Sequence, residues 1–190
     1  MEEVTYQGMT FEPYIKREEI AKQVEKLAQE IKRDYDGTNP LFLCVLNGAF
    51  IFAADLFRAC DLHDAEITFI RFKSYQGMAS TGEVKEIMGL SEDITDRHVI
   101  IVEDIIDSGR TLSYLVDYLR LNGAHSVKTC TLLDKPEARV TDVKVDYCGF
   151  TIPDEFVVGY GLDYAQRYRN LPFIGVLSFE NKDGEGLNGE

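Results

Sequence analysis

Hydrophobic residues recur along this chain at two different spacings, and each spacing predicts a different element. Over Arg17–Tyr35 they return every three or four positions, with Glu, Lys and Gln between them, which predicts an amphipathic helix at the edge of the core. Leu41–Leu46 is a continuous apolar run of strand length. It is followed by Asn47-Gly48 and by a helical apolar pattern over Phe50–Cys60. Residues 17–60 are therefore predicted to form a helix, a strand, a tight turn and a second helix.

Further apolar runs alternate with helical patterns in the rest of the chain. A helix from about residue 111 to residue 121 lies between two strand-like runs and completes a β-α-β unit. Strands are predicted over residues 67–72, 98–103, 127–133, 156–158 and 173–179. Apolar strands that alternate with helices indicate an α/β fold with a central, mostly parallel sheet flanked by helices. Ligands bind to such sheets at the carboxyl ends of the strands.

Two polar stretches interrupt this pattern. Residues 73–90 lack a sustained period and contain three glycines, so they are predicted to form a long loop or an irregular hairpin, either a functional lid or a plain surface segment. Residues 181–190 are polar and glycine-rich, which predicts a disordered tail. A chain of 190 residues suffices for one sizeable core, so residues 1–180 are predicted to be a single domain.

Composition and charge narrow the classes of function. Thirty-three acidic residues against twenty Lys and Arg give a formal net charge of −13, which disfavours binding to nucleic acid or to an anionic membrane. We expect no membrane span and no secretory signal, because the apolar runs are too short. The four cysteines contain no C-x-x-C pair and are interpreted as free, buried thiols of a cytoplasmic protein. The three histidines have no metal-like spacing.

The segment with the clearest chemistry is VIIVEDIIDSGRTL, at residues 99–112. A predicted buried strand ends there in two adjacent carboxylates, Glu103 and Asp104, and runs through a Ser-Gly turn into a helix. Backbone N–H groups of residues 107–111 lack partners at such a helix start, and two hydroxyls add donors, so a phosphate monoester fits. The carboxylates suit ribose hydroxyls or Mg²⁺. A plain helix cap is the simpler alternative, and the combined pattern disfavours it.

This segment resembles the 5-phosphoribosyl-1-pyrophosphate (PRPP) motif of the type I phosphoribosyltransferases. That motif is four apolar residues, two acids, two apolar residues and D-[ST]-G-x-T, and the match is complete. The resemblance implies the fold of that family, with a small hood built from the N-terminal residues and the segment around residues 146–163. It implies that Glu103 and Asp104 hold the ribose hydroxyls and Mg²⁺, and that Asp107 is the catalytic base. The 5′-phosphate would be held by Asp107, Ser108, Gly109, Arg110 and Thr111.

Two further motifs are similar to those of the 6-oxopurine branch, the hypoxanthine-guanine phosphoribosyltransferases. They are LLDKP at residues 132–136 and DEFVVGYGLD at residues 154–163. By this resemblance Lys135 donates to the purine O6, Phe156 stacks on the base, and main-chain groups at Val157 read the edge of the base. Taken alone, Lys135 would be a solvated loop lysine and Phe156 a core residue.

The same resemblance assigns the pyrophosphate side of the site. Asp163, which ends the purine motif, matches the acid that reaches a second Mg²⁺, and Arg169 matches the pyrophosphate-binding arginine, although Arg167 competes for that role. Leu46-Asn47-Gly48 aligns with the pyrophosphate loop, where a non-proline cis peptide is expected. Ser74-Tyr75 begins a stretch similar to the mobile lid of the family.

Two residues depart from the family pattern. Asn47 stands where Lys or Arg is often found, which is tolerable if main-chain N–H groups bind pyrophosphate and weakens that binding if a cation is needed. Asp134, before the lysine, is less typical than an apolar residue and receives no role.

Together the motifs imply an enzyme of purine salvage that transfers the 5-phosphoribosyl group from PRPP to N9 of hypoxanthine or guanine. It would need Mg²⁺, act on small molecules without nucleic acid or membrane, and form a homo-oligomer, a dimer or tetramer. One alternative is a PRPP-binding transcription regulator without catalysis, against which the charge of −13 argues. Another is a transferase for xanthine or a pyrimidine, and Lys135 and Phe156 weigh against the pyrimidine.

Overall fold

The computed structural model describes residues 4–6, 9–74, 84–90 and 92–178. In chain order its elements are β1 (Val4–Tyr6), β2 (Met9–Ile15), α1 (Arg17–Tyr35), β3 (Leu41–Leu46), α2 (Phe50–Cys60), β4 (Glu66–Ser74), β5 (Val84–Met88), β6 (His98–Ile106), α3 (Arg110–Leu121), β7 (Ser126–Asp134), β8 (Tyr147–Thr151), β9 (Val157–Val158) and β10 (Ile174–Ser178). A short 3-10 turn spans Pro136–Ala138. The predicted tail at residues 181–190 and Tyr75 of the predicted lid lie outside the described residues, and Ser74 is the last residue of β4.

Six strands form the central sheet in the order β5-β4-β3-β6-β7-β8. β3 pairs in parallel with β4 and with β6, and the parallel pairing continues through β7 to β8. β5 pairs antiparallel with β4, with a register irregularity between Arg71 and Phe72. The predicted mostly parallel sheet is therefore confirmed, and β4 and β5 are the two arms of an irregular hairpin.

Both faces of this sheet are covered by helices, which explains why its central strand β3 is apolar throughout. Successive residues of a strand point to opposite faces. In β3, Phe42 and Cys44 are buried with the apolar residues of α1 and α2. Leu41 and Leu43 are buried with the apolar residues of α3. The helices thus lie on both sides of the sheet, two on one face and one on the other.

The hood is a separate, antiparallel sheet in the order β1-β2-β10-β9. It shares the buried cluster of the core, because Ile15 of β2 and Ile174 of β10 belong to the same cluster as α1 and α2. The N-terminal residues contribute to it as predicted. The second predicted hood segment is only partly right, since Tyr147–Thr151 forms β8 of the central sheet and Val157–Val158 joins the hood.

The sequence predicted the bounds of α1, α2 and β3 as they occur. β6 extends further than predicted, to Ile106, because its pairing with β7 continues to Asp134. Glu103 and Asp104 therefore lie inside the strand and not at its end. No helix among the described residues is long and apolar enough to cross a membrane. The four cysteines are free, and Cys148 alone among them is not fully buried.

Candidate active site

Three loops meet at the carboxyl edge of the central sheet. β3, β6 and β7 are parallel neighbours, so the segments that follow them emerge at the same edge. These segments are Leu46-Asn47-Gly48, the turn at residues 107–109, and the stretch that begins at Lys135. The structure thus brings together the residues that the sequence assigned to pyrophosphate, to the sugar phosphate and to the base.

The loop after β3 is held between β6 and a later segment. The Leu46–Asn47 peptide is cis, as the resemblance implied. A Cβ atom on Gly48 would overlap the Asp104 carboxylate, and a Cβ atom on Gly161 would overlap the carbonyl of Gly48. Gly161 also has a φ of +104°, a conformation that favours glycine. These contacts fix the main chain of the loop against Asp104 of β6.

The turn after β6 leads directly into the N-terminus of α3. Gly109 precedes this helix with a φ of +79°, and its carbonyl accepts the N–H of Ser113 at 2.9 Å. Ser108 Oγ accepts the N–H of Arg110 at 3.4 Å. The N–H groups of a first helical turn have no acceptor within their own helix, and the helix dipole is positive there. The turn is therefore suited to an anion such as a phosphate monoester.

Glu103 and Asp104 are partly buried carboxylates beside this turn. Burial, with the neighbouring Asp104 charge, raises the pKa of Glu103 well above its ordinary value. Burial raises the pKa of Asp104 to about 6, while backbone N–H groups and the Arg169 charge act in the opposite direction. Among the described residues Glu103 Oε2 has no hydrogen-bond partner. Two adjacent carboxylates, one with an oxygen that lacks a hydrogen-bond partner, could bind a cation or accept hydrogen bonds from sugar hydroxyls.

Lys135 is buried between two carboxylates. Only 8% of its side chain is exposed, and its ammonium lies 3.2 Å from Asp107 Oδ1 and 3.3 Å from Asp154 Oδ1. Its backbone N–H donates to Ile106 O at 3.0 Å, which fixes the residue beside the end of β6. The interpretation of Lys135 as a solvated loop lysine is therefore wrong. The sequence did not identify Asp154, because nothing local connects it to a lysine nineteen residues earlier.

Phe156 directly precedes β9 of the hood and is not a core residue. It is 50% exposed, and its ring contacts Tyr164 edge to face, with centroids 5.9 Å apart. The next residue, Val157, is buried and pairs with Val176 in the hood sheet. An exposed ring on a fixed main chain is a suitable platform for a planar ligand.

Asp163 and Arg169 form an ion pair of 2.8 Å on the pyrophosphate side. Arg169 also donates to Gly161 O at 2.7 Å and to Gln166 Oε1 at 3.1 Å, and the Gln166 N–H donates to Asp163 at 2.8 Å. Because Gly161 abuts Gly48, Arg169 is anchored next to the loop after β3.

The three predicted Mg²⁺ ligands do not form a ready-made metal cluster. Within the described ranges no group of three or more His, Cys, Asp or Glu side chains is arranged to hold a metal ion. This arrangement is compatible with Mg²⁺, which usually binds through one or two carboxylates together with substrate phosphates. The unpartnered oxygen of Glu103 is the feature of this site that fits such an ion.

Comparison with known proteins agrees with this geometry. The Phosphoribosyl transferase domain family matches residues 14–165, and the fold and site accordingly define a phosphoribosyltransferase, an enzyme that transfers a pentosyl group. The hypoxanthine-guanine phosphoribosyltransferase of Bacillus subtilis is 52% identical over 164 residues, which cover 86% of this chain and 91% of that protein. A crystal structure of a hypoxanthine-guanine phosphoribosyltransferase from Bacillus anthracis superposes with a TM-score of 0.84 at 44% identity, covering 90% of this chain and 99% of that one.

The relatives also include a longer protein. The bifunctional protein TilS/HprT of Listeria monocytogenes is 50% identical over 167 residues, and the chain spans 26% of its length. A hypoxanthine phosphoribosyltransferase structure from Staphylococcus aureus has a TM-score of 0.84 at 40% identity, covering 88% of this chain and 91% of that one. On these matches the chain belongs to the hypoxanthine-guanine phosphoribosyltransferase family.

Proposed function

We propose that this chain transfers the 5-phosphoribosyl group of PRPP to N9 of hypoxanthine or guanine, forming the nucleoside monophosphate and pyrophosphate for purine salvage. The observation that carries this proposal is the position of Lys135, buried between Asp107 of the phosphoribosyl loop and Asp154 of the segment that presents Phe156. A hydrogen-bond donor, a carboxylate and an exposed aromatic ring are thereby gathered next to an anion-binding helix N-terminus.

PRPP binding is assigned to two of the three loops. The turn and first helical residues, Asp107 to Thr111, receive the 5′-phosphate through N–H and hydroxyl donors. Glu103 and Asp104 accept hydrogen bonds from the ribose hydroxyls. The main-chain groups of Leu46-Asn47-Gly48, with Arg169, receive the pyrophosphate. Arg169 must then exchange its bond to Asp163 for the leaving group, whose growing negative charge it stabilises.

Mg²⁺ is the proposed cofactor. Glu103, Asp104 and Asp163, together with PRPP oxygens, would hold the ion, which neutralises phosphate charge and assists departure of pyrophosphate. The three acids are assigned to the pyrophosphate and ribose side of the site. Without a cation, their negative charges would repel the phosphate groups of PRPP. Activity should therefore be lost in excess EDTA and return when Mg²⁺ is added.

Base recognition is assigned to Lys135, Phe156 and Val157. Lys135 donates to the exocyclic oxygen at purine C6, Phe156 stacks on the ring, and main-chain groups at Val157 pair with its edge. Asp107 accepts the proton that the ring loses as N9 attacks the sugar, because its carboxylate lies 3.2 Å from the ammonium of Lys135, the group assigned to the base. Ser74-Tyr75 belongs to the proposed lid that excludes water.

The wider setting follows the family. We propose that residues 1–180 act as one domain, which the buried cluster shared by hood and core supports. The free, mostly buried thiols support a cytoplasmic location. Assembly into a dimer or tetramer rests on the family resemblance alone.

The test is incubation of the full chain with PRPP, Mg²⁺ and each of hypoxanthine, guanine, xanthine and adenine, with detection of the nucleotide product and pyrophosphate. Nucleotide formation with hypoxanthine or guanine, dependent on both PRPP and Mg²⁺, is the expected result. PRPP binding by calorimetry without turnover of any base would instead indicate a regulator, and turnover restricted to xanthine would correct the base assignment.

A further inference from the structure

The segment that follows Lys135 returns against the phosphoribosyl loop, and one arginine joins the two. The Arg139 side chain is 16% exposed, and each of its three guanidinium nitrogens has an acceptor. Nε donates to the Asp107 carbonyl at 3.2 Å and Nη1 to the Val143 carbonyl at 3.3 Å. Nη2 forms an ion pair with the Asp134 carboxylate. This side chain therefore connects the end of β7, the turn after β6 and the connector, which is the segment of residues 139–146 between the 3-10 turn and β8.

Main-chain contacts reinforce the same junction. The N–H groups of Val140 and Thr141 both donate to the Ser108 carbonyl at 3.1 Å. A Cβ atom on Gly109 would lie 2.7 Å from Arg139 Cδ and 2.9 Å from the Thr141 carbonyl. The connector thus packs so closely against the turn that only glycine fits at position 109, the last residue of the turn.

These contacts determine where the donors of the turn point. In a trans peptide the C=O and the following N–H are directed to opposite sides, and the described chain contains a cis bond only at Leu46–Asn47. The carbonyls of Asp107 and Ser108 are directed at the connector. The N–H groups of Ser108 and Gly109 must then point away from the connector, toward the space proposed for the 5′-phosphate.

The geometry points to Arg139 as a positioning residue for PRPP: anchored on Asp134, it holds the Asp107 carbonyl so that the N–H groups of the turn converge on the phosphate. This inference rests on the proposed function and gives a role to Asp134, the residue that the sequence analysis left without one. Arginine suits it because its rigid fork reaches several acceptors at once, whereas lysine offers a single point charge. Because all three guanidinium nitrogens have protein acceptors, Arg139 would act through the turn and not by binding the substrate itself.

Arg139→Lys and Arg139→Gln test this role, with Arg120→Lys, at an exposed position of α3, as the matched control. Loss of the fork should raise the KM and the Kd for PRPP about tenfold or more, since hydrogen bonds to charged groups are lost and the donors of the turn are no longer held. The KM for the purine and the kcat should change much less. PRPP binding is measured by calorimetry in the presence of Mg²⁺, so that one readout does not depend on turnover.

Asp134→Asn is the milder variant, expected to raise the PRPP KM by a smaller factor. The double variant Asp134→Asn/Arg139→Gln should be no worse than Arg139→Gln alone, because the two side chains act through one contact. A purely structural role for Arg139 would lower the amount of active enzyme and the melting temperature while leaving both KM values unchanged. Wild-type PRPP affinity in folded Arg139→Lys and Asp134→Asn would overturn the inference, whereas an inactive wild type would overturn the proposed function.

Discussion

Asp107 has two roles in the proposed reaction that a single substitution can separate. Its carbonyl is held by Arg139 and its carboxylate, 55% exposed, pairs with Lys135. Asp107→Asn keeps the turn but cannot accept a proton, so kcat should fall about 100-fold or more while the KM for PRPP changes far less. Steady-state kinetics with varied PRPP measure both. Near-normal kcat with impaired PRPP binding would mean that Asp107 only shapes the loop.

Lys135 is the residue that we propose to determine which base is accepted. Its ammonium has donors and no acceptor, so in this role it would pair with the oxygen of a 6-oxopurine and leave the amino group of adenine unsatisfied. A site built for one hydrogen bond can reject the analogue about 10⁴-fold. Lys135→Ala should therefore reduce kcat/KM for hypoxanthine and guanine and narrow their advantage over adenine.

The matched control for this substitution is Lys26→Ala, at an exposed position of α1, which should leave all three values of kcat/KM unchanged. Unchanged ratios in Lys135→Ala would show that another residue reads the base.

At the scale of elements, the contact between Gly161 and Gly48 links two segments that are far apart in sequence. Gly161→Ala would place a methyl group against the Gly48 carbonyl and displace the loop after β3. We expect a raised KM for pyrophosphate in the reverse reaction and a loss of stability greater than the roughly 1 kcal/mol of an unfavourable φ alone.

Gly37→Ala is a suitable comparison, because Gly37 has a φ of +75° and no atom within 4 Å of an added Cβ. This variant should lose stability through its backbone alone and keep the wild-type KM for pyrophosphate. Equal pyrophosphate KM values in the two variants would show that Gly161 does not position the loop after β3.

Elements with a clear apolar pattern of their own were predicted from the sequence, and several elements without one were not. α1 and β3 follow from their own periodicity. β8 has mostly half-buried residues and no continuous apolar run, and β2 contains Pro13, so neither resembles an interior strand. For the same reason the motifs identified Lys135, while the partners Asp154 and Arg139 required the three-dimensional arrangement of the loops.

At the scale of the whole molecule, the site is maintained at the expense of stability. The raised pKa values of Glu103 and Asp104 mean that the folded chain binds these protons more tightly than the unfolded chain. For Asp104, stability is highest below the ordinary value of 3.8 and falls as the pH rises through about 6. Asp104→Asn, which carries no charge there, should be more stable than the wild type at pH 8, by an amount on the order of 2 kcal/mol.

This advantage should disappear near pH 4, where the wild-type carboxyl is protonated. Urea denaturation without Mg²⁺ or PRPP at the two pH values measures it, and Asp64→Asn, at an exposed position, is the control. An Asp104→Asn protein that is less stable than the wild type at pH 8 would contradict the assignment of burial as the dominant cause.

The two ion pairs of Lys135 bear on how an uncharged purine enters the site. This lysine already has anionic partners at 3.2 Å and 3.3 Å, which a base bound as we propose would have to displace or share. Dissolved salt screens pairs whose carboxylates are half exposed. Higher ionic strength should therefore lower the KM for the neutral base while it raises the KM for the polyanionic PRPP. Such opposite salt dependences would show that the carboxylates of Asp107 and Asp154 act as internal competitors of the base for Lys135 and do not compete with PRPP.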